Sequence, residues 1–599
     1  MSLRGLFAAV LFFVIAVPAY PSPLRISDAY PDKARYAPAE PVRLVVELDG
    51  VPEGTERLSA TVWQLDRSAG SCGPIHLQPS SSGPQILTCN VPGQPYQGYL
   101  VDVQLTGAGG KVLDERRTAI DVSPDWKIFP RYGYLAHFSA SEGADPEAWI
   151  ADLNRFHIDG LEFYDFQYRH DQPLAGTVAH SPDSWNDIAG RTVEGPIVTG
   201  FIAQAHRYNM MAMAYNASYG AYEDVFTRHD HPLPLQWATW TTADGPRTAA
   251  TAKTLPLDAS GWSTHFLYYM NQNDAGWQRY LFGHMRDLFE VYPFDGWHVD
   301  TYGDPGGYAL DGSRVDYIAG FRSFIDNARA ALGKSIVFNT VNAYGQDQVA
   351  HSDADFVYSE LWDDHETYAS ILETAEQVHL ARPGGGLVFA AYVNRKEVRD
   401  DHAPVKPFNE PSVLLTDAAI FATGAGHIEL GDGERLLSSE YFPADTQLVV
   451  SPSLRASLRN YYDYLTAYEN YLRGDVQPAA VDVEIHGQPS DALAVPNTIW
   501  TIARHRNGTT MLHLINLLGS SDAHWRDIGM KRPEPPLLES LRIRVRLPES
   551  VRAVGWASPD VNDGKFHPLP FNPHANSGSQ WIEFTVPQLK YWDTIFLSN

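Results

Sequence analysis

The pattern of hydrophobic and polar positions divides the chain into three parts. Residues 23–123 alternate apolar and polar side chains with period two, as at residues 42–48 and 99–105, and turn residues such as Asp49-Gly50 separate the alternating runs. Period two is typical of strands that bury one face. We therefore predict an N-terminal immunoglobulin-like β-sandwich with a structural or auxiliary role.

From residue 124 to residue 475 the pattern changes to short apolar strands that alternate with amphipathic helices, which predicts a central (β/α)8 TIM barrel. Helical periodicity covers residues 146–155, 200–208, 276–291 and 313–331. A long connection, residues 221–266, follows the third strand and is expected to help build the substrate cleft. The eight predicted strands are residues 132–138, 160–166, 210–216, 295–300, 336–339, 356–360, 387–392 and 426–430.

Period two returns after residue 475. It is clearest at residues 499–503, 511–515 and 541–547, and Asn507-Gly508 between the first two runs is typical of a tight hairpin turn. We predict that residues 476–599 form a C-terminal antiparallel β-sandwich. No function can be inferred from the residues of this part, so packing against the barrel is its simplest role.

The first residues carry the pattern of a secretory signal. Apolar residues 6–17 follow Arg4 and precede Pro18-Ala19, so we predict a signal peptide over residues 1–19. Twelve apolar residues are too few for the roughly 20 that span a bilayer. A secreted or periplasmic protein without membrane attachment after cleavage is expected. In such a compartment the two cysteines, Cys72 and Cys89, are expected to form a disulfide.

Composition excludes some functions. The net charge of −27 comes without basic runs, which argues against nucleic acid as a partner. The sequence contains no P-loop and no His-x-His or Glu-x-x-His pattern, so we predict no metal or other cofactor. We also expect the protein to be a monomer. Aromatic residues make up 12% of the chain. Their rings can stack on sugars, although most are expected in the core.

Two acidic residues end predicted barrel strands. Asp300 precedes a glycine-rich loop, and Glu360 precedes an aromatic residue and an acidic loop. Active-site groups of such barrels come from the carboxyl ends of strands, and two carboxylates are the minimum apparatus of a glycosidase. The alternative is that each acid caps a helix or pairs with an arginine.

Other strand ends carry hydrogen-bonding and aromatic side chains. One such residue is more often structural than functional, but seven strands that deliver them to one face indicate a site for sugar hydroxyls. The predicted substrate-binding residues are Tyr164, Asp165, His170, Tyr215, Asn216, His298, Asn339, Trp362, Tyr392, Asn394, His427 and Glu429.

Several blocks of the barrel resemble glycoside hydrolase family 66, which contains dextranases and cycloisomaltooligosaccharide glucanotransferases. The resemblance implies a retaining endo-hydrolase of α-1,6-linked glucan, with Asp300 as nucleophile and Glu360 as acid/base. It covers the barrel in order, whereas the two terminal parts match only in position. The blocks are Phe129-Pro130-Arg131-Tyr132-Gly133, Phe163-Tyr164-Asp165, Asp295-Gly296-Trp297 with Asp300-Thr301, Tyr358-Ser359-Glu360-Leu361-Trp362 and Gly426-His427-Ile428-Glu429-Leu430-Gly431.

Two positions depart from that family. His298-Val299 stands where the family shows Gln-Gly, and His137 stands where it shows an aspartate. Because side chains two apart on a strand share a face, His298 is expected beneath Asp300. There it either tunes specificity through Asp300 or a sugar hydroxyl, or fills the interior bonded to an acid such as Glu162.

Three alternatives stay open at this point. The protein could be a transglycosylase, a family member that acts on another α-glucan, or a glycan-binding protein without activity. The short path over residues 392–411 leaves no room for the carbohydrate-binding module of the cyclising members, which favours hydrolysis. Retention of both acids counts against the inactive alternative.

Overall fold

The computed structural model describes residues 23–599 except residues 82, 230, 258–260, 396–404, 440–447, 548–549, 562–563 and 577–578. The predicted signal peptide, residues 1–19, lies outside the described residues. Within the described ranges, no helix combines the length and the apolar character needed to cross a membrane.

The central feature is a sheet of eight parallel strands that pair in chain order. Its two edges meet at a parallel bridge between Tyr134 and Gly431, where the Tyr134 amide donates to the Leu430 carbonyl over 3.1 Å. The predicted eight-stranded barrel is therefore confirmed, with several strands shorter than expected. The strands are Tyr132–Leu135, Gly160–Phe163, Met211–Ala217, Gly296–Asp300, Ser335–Val341, Val357–Glu360, Leu387–Ala390 and Gly426–His427.

α-Helices cover the outside of the barrel. The side chains of Asp145, Asp274 and Asp316 accept backbone N–H groups at three helix starts, which satisfies donors that the helices leave free. Apolar faces of the helices pack against the outward positions of the strands in one large core. The helices are Pro146–Arg155, Gly195–Arg207, Ala275–Val291, Tyr317–Leu332, Gln346–Ala350, Tyr368–Ala381, Glu410–Ala422, Pro452–Ala467 and Glu469–Leu472.

The long connection after the third barrel strand has regular structure of its own. Gly220–Tyr222, Thr254–Pro256 and Phe266–Tyr269 form a small antiparallel sheet with Phe266–Tyr269 in the centre. This sheet brings apolar side chains, including those of Leu255 and Leu267, to the carboxyl ends of the barrel strands. The connection therefore forms a wall of the cleft.

The N-terminal strands form one seven-stranded antiparallel sheet around a separate core. A disulfide joins Cys72 to Cys89 across two neighbouring strands, as the sequence predicted. In spatial order the strands are Arg25–Pro31, Val42–Asp49, Gln85–Asn90, Arg67–His76, Arg57–Gln64, Gln97–Thr106 and Val112–Val122.

The C-terminal strands form two sheets that share one hydrophobic core. The predicted hairpin is present, and both Asn507 (φ 49°) and Gly508 (φ 78°) adopt the left-handed conformation that this turn requires.

The immunoglobulin-like form of the N-terminal part and the domain boundaries near residues 123 and 475 stay predictions. The strands of the two C-terminal sheets are as follows. One sheet contains Gln477–Pro478, Ser490–Asp491, Ile499–Arg506, Thr509–Asn516, Ala553–Ala557, His567–Leu569 and Trp592–Ser598, and the other contains Asp482–Ile485, Leu538–Leu547, Phe571–Asn576 and Ser579–Leu589.

Candidate active site

A cavity of about 270 Å³ opens at the carboxyl ends of the barrel strands, and it contains both predicted acids. Asp300 ends the fourth strand and Glu360 ends the sixth. One side of the cavity is polar. Another part of the lining is an apolar wall formed by Ile188, Leu255, Leu257, Trp262 and Leu267.

Asp300 is held by two hydrogen bonds. The Tyr215 hydroxyl donates to Oδ2 over 2.6 Å, and the Asn339 amide donates to Oδ1 over 2.8 Å. Burial raises the pKa of Asp300 to about 6, and these two bonds limit the rise because they favour the carboxylate. Asp300 is therefore an oriented anion above that pH.

Glu360 has the higher pKa of the two acids. Burial, followed by repulsion from Asp300, raises the pKa of Glu360 to about 7. The Tyr392 hydroxyl donates to Oε1, and the Asn339 amide approaches Oε2 over 3.3 Å. Between pH 6 and pH 7 the pair can therefore hold one anion and one acid, which is the division of roles that a glycosidase requires.

A single amide nitrogen, Nδ2 of Asn339, bridges the two acids. Bonds of 2.8 Å and 3.3 Å to one nitrogen keep Asp300 Oδ1 and Glu360 Oε2 within about 6 Å of each other. Inverting glycosidases separate their carboxyl groups by about 6.5–9.5 Å and retaining ones by about 5–5.5 Å. This upper limit applies to one pair of oxygen atoms, and it is compatible with the separation found in retaining enzymes.

Comparisons with known proteins agree with this chemistry. A family model described as glycosyl hydrolase family 66 matches residues 31–596. The chain belongs to this family. It is thus a glycoside hydrolase, and the resemblance seen in the sequence is confirmed.

The relatives of this family 66 hydrolase carry two activities in their names. A cycloisomaltooligosaccharide glucanotransferase of Niallia circulans is 26% identical, with 96% of this chain and 72% of the relative aligned. A dextranase of Streptococcus salivarius is 25% identical over 75% of this chain and 60% of its own length. The crystal structure of a Paenibacillus sp. cycloisomaltooligosaccharide glucanotransferase complexed with cycloisomaltoheptaose has a TM-score of 0.86, is 22% identical, and aligns over 96% of this chain and 100% of its own. This last likeness shows the fold.

Eight of the twelve predicted substrate-binding residues line the cavity. Among them, His170 donates or accepts through both ring nitrogens, at 2.9 Å from Asn216 Oδ1 and 3.2 Å from the Tyr302 hydroxyl. The Trp362 and Tyr392 rings lie side by side with centroids 5.2 Å apart. The eight are Tyr164, Asp165, His170, Tyr215, His298, Asn339, Trp362 and Tyr392.

Four predicted residues do not line the cavity, and their predicted direct contact with substrate is not supported by their position. Asn216 faces helix Ala275–Val291 and holds His170, while Asn394 sits in a turn and bonds to the 526–527 backbone. His427 and Glu429 flank inward-facing Ile428, so they point out toward the helices. The sequence prediction placed strand ends correctly but ignored the alternation of side chains along the strand.

His137, the second departure from the family pattern, also lies outside the residues that line the cavity. Its Nδ1 is 3.2 Å from Asp432 Oδ2, and the same oxygen accepts the backbone amides of Ala136 and His137. These contacts tie the end of the first strand to the segment after the eighth. His137 therefore binds Asp432 and does not line the cavity that contains Asp300 and Glu360.

Three side chains of metal-ligating type meet behind the eighth strand, which the sequence did not predict. Ligand atoms of Asp417, His427 and Glu429 lie within 4.8 Å of one another in the described structure. However, His427 Nδ1 is 2.8 Å from Asp417 and Nε2 is 3.0 Å from the Ala391 carbonyl. Burial raises the pKa of Glu429 to about 8. Hydrogen bonds among these buried, partly protonated side chains therefore account for the cluster.

The sequence prediction missed several residues of the cavity. The most important is Glu162, which the sequence analysis named only as a possible interior partner of His298 and not as a residue of the cleft; it lies two positions before Tyr164 on the second strand. The period-two argument that placed His298 beneath Asp300 applies equally to Glu162, so a signal was available. The apolar wall had no such signal, because its position depends on how the long connection folds. The other missed residues are Ile188, Leu255, Leu257, Trp262, Leu267, Thr301, Tyr302, Val341 and Tyr358.

Proposed function

We propose that this family 66 hydrolase cleaves internal α-1,6 linkages of dextran-like glucans with retention of anomeric configuration. The observation that carries the proposal is the Asn339 bridge, which holds Asp300 and Glu360 at a separation suited to double displacement. The named activities of the relatives, a dextranase and glucanotransferases, support the substrate class. The predicted signal peptide fits action on a polymer outside the cytoplasm.

In the first step Asp300 attacks the anomeric carbon of the bound glucosyl unit. The bond from that carbon to the leaving oxygen breaks, and Glu360 gives its proton to the oxygen. Tyr215 and Asn339 orient the attacking carboxylate. The product of this step is a glycosyl ester on Asp300 together with a released chain end.

In the second step Glu360 acts as a base. Esterification removes the charge of Asp300, which is the second cause of the raised Glu360 pKa, so Glu360 becomes an anion more easily. It then takes a proton from water, the water oxygen bonds to the anomeric carbon, and the ester bond to Asp300 breaks. This step restores the free enzyme and releases a glucan chain that ends in a hemiacetal.

Transglycosylation is the second candidate, because two of the relatives and the similar solved structure are named as glucanotransferases. The same two acids serve both reactions, with a sugar hydroxyl in place of water. Products from dextran at low and high concentration distinguish them. Hydrolysis predicts shorter linear chains at both concentrations, whereas longer or cyclic products that grow with concentration would favour transfer.

A panel of α-glucans of defined linkage tests the proposal. We expect reducing ends to appear fastest from dextran, and proton NMR to show the α-anomer first. Asp300→Asn and Glu360→Gln are each expected to lower kcat at least a thousandfold. Asp304→Asn, an exposed acid four residues after Asp300, is the matched control and should keep full activity. The proposal fails if the β-anomer appears first, if dextran is not cleaved, or if either active-site variant keeps a tenth of the activity.

A further inference from the structure

A loop of the C-terminal part reaches the residues that follow two of the barrel strands. Residues 517–537, here called the docking loop, connect the two C-terminal sheets. Within this loop the Trp525 ring nitrogen donates to the His365 carbonyl, after the sixth strand, over 2.6 Å. The Arg526 carbonyl accepts the amide of Asn394, after the seventh strand, over 2.7 Å. The C-terminal part therefore contacts the segments that follow two strands of the cavity.

Arg526 connects the docking loop to the segment that carries the proposed acid/base. Its side chain is buried, Nε donates to Glu366 Oε1 over 2.8 Å, and Nη2 donates to the Leu361 carbonyl over 3.0 Å. Because a guanidinium group donates and never accepts, the direction of both bonds is fixed. Leu361 lies between Glu360 and Trp362 in the chain. Arg526 therefore holds the residue that joins the proposed acid/base to its aromatic neighbour.

The guanidinium group of Arg526 also packs on Trp362. Its Cζ lies 5.5 Å from the ring centroid of Trp362 and 4.6 Å from that of Trp525, both within the roughly 6 Å of a cation–π contact. A planar guanidinium that stacks on an indole restricts the orientations open to that ring. Trp362 lines the cavity together with Glu360 and Tyr392. The contact with Arg526 therefore acts on a wall of the cavity itself.

We propose that Arg526 is a positioning residue of the glucan site, which fixes Trp362 as the aromatic wall on which a glucosyl unit packs beside Glu360. The proposal rests on the proposed glucan-cleaving function for the identity of the ligand. An indole offers a large apolar face to a sugar ring, and it does so at low cost in entropy when its orientation is set before the sugar binds. The C-terminal part thus completes the active site in addition to packing against the barrel.

Fluorine NMR of protein labelled with 5-fluorotryptophan tests the orientation of Trp362 without any substrate. Trp362→Phe removes one resonance and so assigns it. We expect one sharp line in wild type, and a broadened or split line in Arg526→Met, because the indole can then take more than one orientation. Arg526→Lys keeps a cation beside Glu366 but has no planar face, so it should show the same change if Arg526→Met does not fold. An unchanged line in the folded variant would overturn the proposal.

Kinetics on dextran test whether this orientation matters for the reaction. Arg526→Met should lower kcat/KM of the folded enzyme about tenfold or more, since misplacement of a positioning group by about 1 Å can cost a hundredfold. Arg504→Met is the matched control, because Arg504 is another buried arginine of the C-terminal part and donates to a barrel carbonyl, that of Thr423, over 2.8 Å. Thr423 is not among the residues that line the cavity.

The control should lose stability and keep kcat/KM within about twofold of wild type. An equal loss of kcat/KM in Arg504→Met and Arg526→Met would show a general effect of the interface and would overturn the proposal. Full activity in Arg526→Met would overturn it as well.

A double-mutant cycle with Trp362→Ala identifies the group through which Arg526 acts. If Arg526 works by orienting Trp362, Arg526→Met should cost about threefold or less in kcat/KM once the indole is absent. A larger loss in that background would mean that Arg526 acts by another route, and it would overturn the proposal. If wild type cleaves no α-glucan, the proposed function fails, while the fluorine resonance still decides whether Arg526 orients Trp362.

Discussion

Replacement of Asn339 by alanine is the perturbation to which the proposed mechanism is most sensitive. The side chain donates to Asp300 over 2.8 Å and approaches Glu360 over 3.3 Å, both in a buried setting. A hydrogen bond to a charged group contributes about 1.5–3 kcal/mol. Loss of the bond to Asp300 alone therefore predicts a 10- to 150-fold decrease in kcat/KM, since 1.36 kcal/mol corresponds to a factor of ten.

The same variant should also change the pH profile. The Asn339 amide stabilises the charged form of both acids, so its removal raises the pKa of Asp300 above about 6 and the pKa of Glu360 above about 7. Asp300 then becomes protonated at higher pH, and Glu360 stays protonated to higher pH. Both limbs of the bell-shaped profile of kcat/KM should move to higher pH by about one unit, because one unit equals 1.36 kcal/mol.

The assay is release of reducing sugar from dextran between pH 4 and pH 9, with circular dichroism to verify the fold. Asn342→Gly is the matched control, because Asn342 follows the same strand, has a positive φ of 53° and bonds to Asp364 outside the cavity. The control should leave rate and profile unchanged. A normal profile in Asn339→Ala, or a loss of activity without any shift of the limbs, would refute the bridging role.

Three further outcomes are expected. Wild-type kcat/KM should follow a narrow bell with limbs near pH 6 and pH 7, since only the state with anionic Asp300 and protonated Glu360 reacts; a plateau from pH 5 to pH 8 would contradict this assignment. His298→Gln should keep activity on α-1,6-glucan and change the ratio of kcat/KM between dextran and other α-glucans, and an unaltered ratio would remove specificity from this position. Replacement of both Cys72 and Cys89 by serine opens a loop of 17 residues, which should lower the free energy of unfolding of the N-terminal sheet by about 3 kcal/mol. The kcat at 25 °C should stay unchanged, and a fall in kcat would link that sheet to the cavity.

The sequence was sufficient to predict the barrel because its strands and helices alternate with distinct periods. The eighth strand was predicted correctly, although the observed strand contains only Gly426–His427. Asp300 and Glu360 could be placed in one cavity because parallel strands end at the same face of a barrel. The disulfide followed from two cysteines in a chain expected to be exported.

Side-chain direction could not be read from strand ends alone. Asn216 and Tyr215 are neighbours, yet only Tyr215 faces the interior, and the same alternation turns His427 and Glu429 toward the helices. The Asn339 bridge depends on the stagger between three strands, which no local pattern encodes. The apolar wall depends on a connection whose strands pair with each other, so its contacts are long-range.

Trapping of the covalent intermediate tests the central claim most directly. Glu360→Gln lacks the base of the second step, while the fluoride of α-isomaltosyl fluoride leaves without an acid, so the glycosyl enzyme should accumulate. Peptide mass mapping after acid quench is expected to find one isomaltosyl group on Asp300. An adduct on another residue, or turnover to the β-product without any adduct, would contradict the assignment of Asp300 as the nucleophile of a retaining hydrolase.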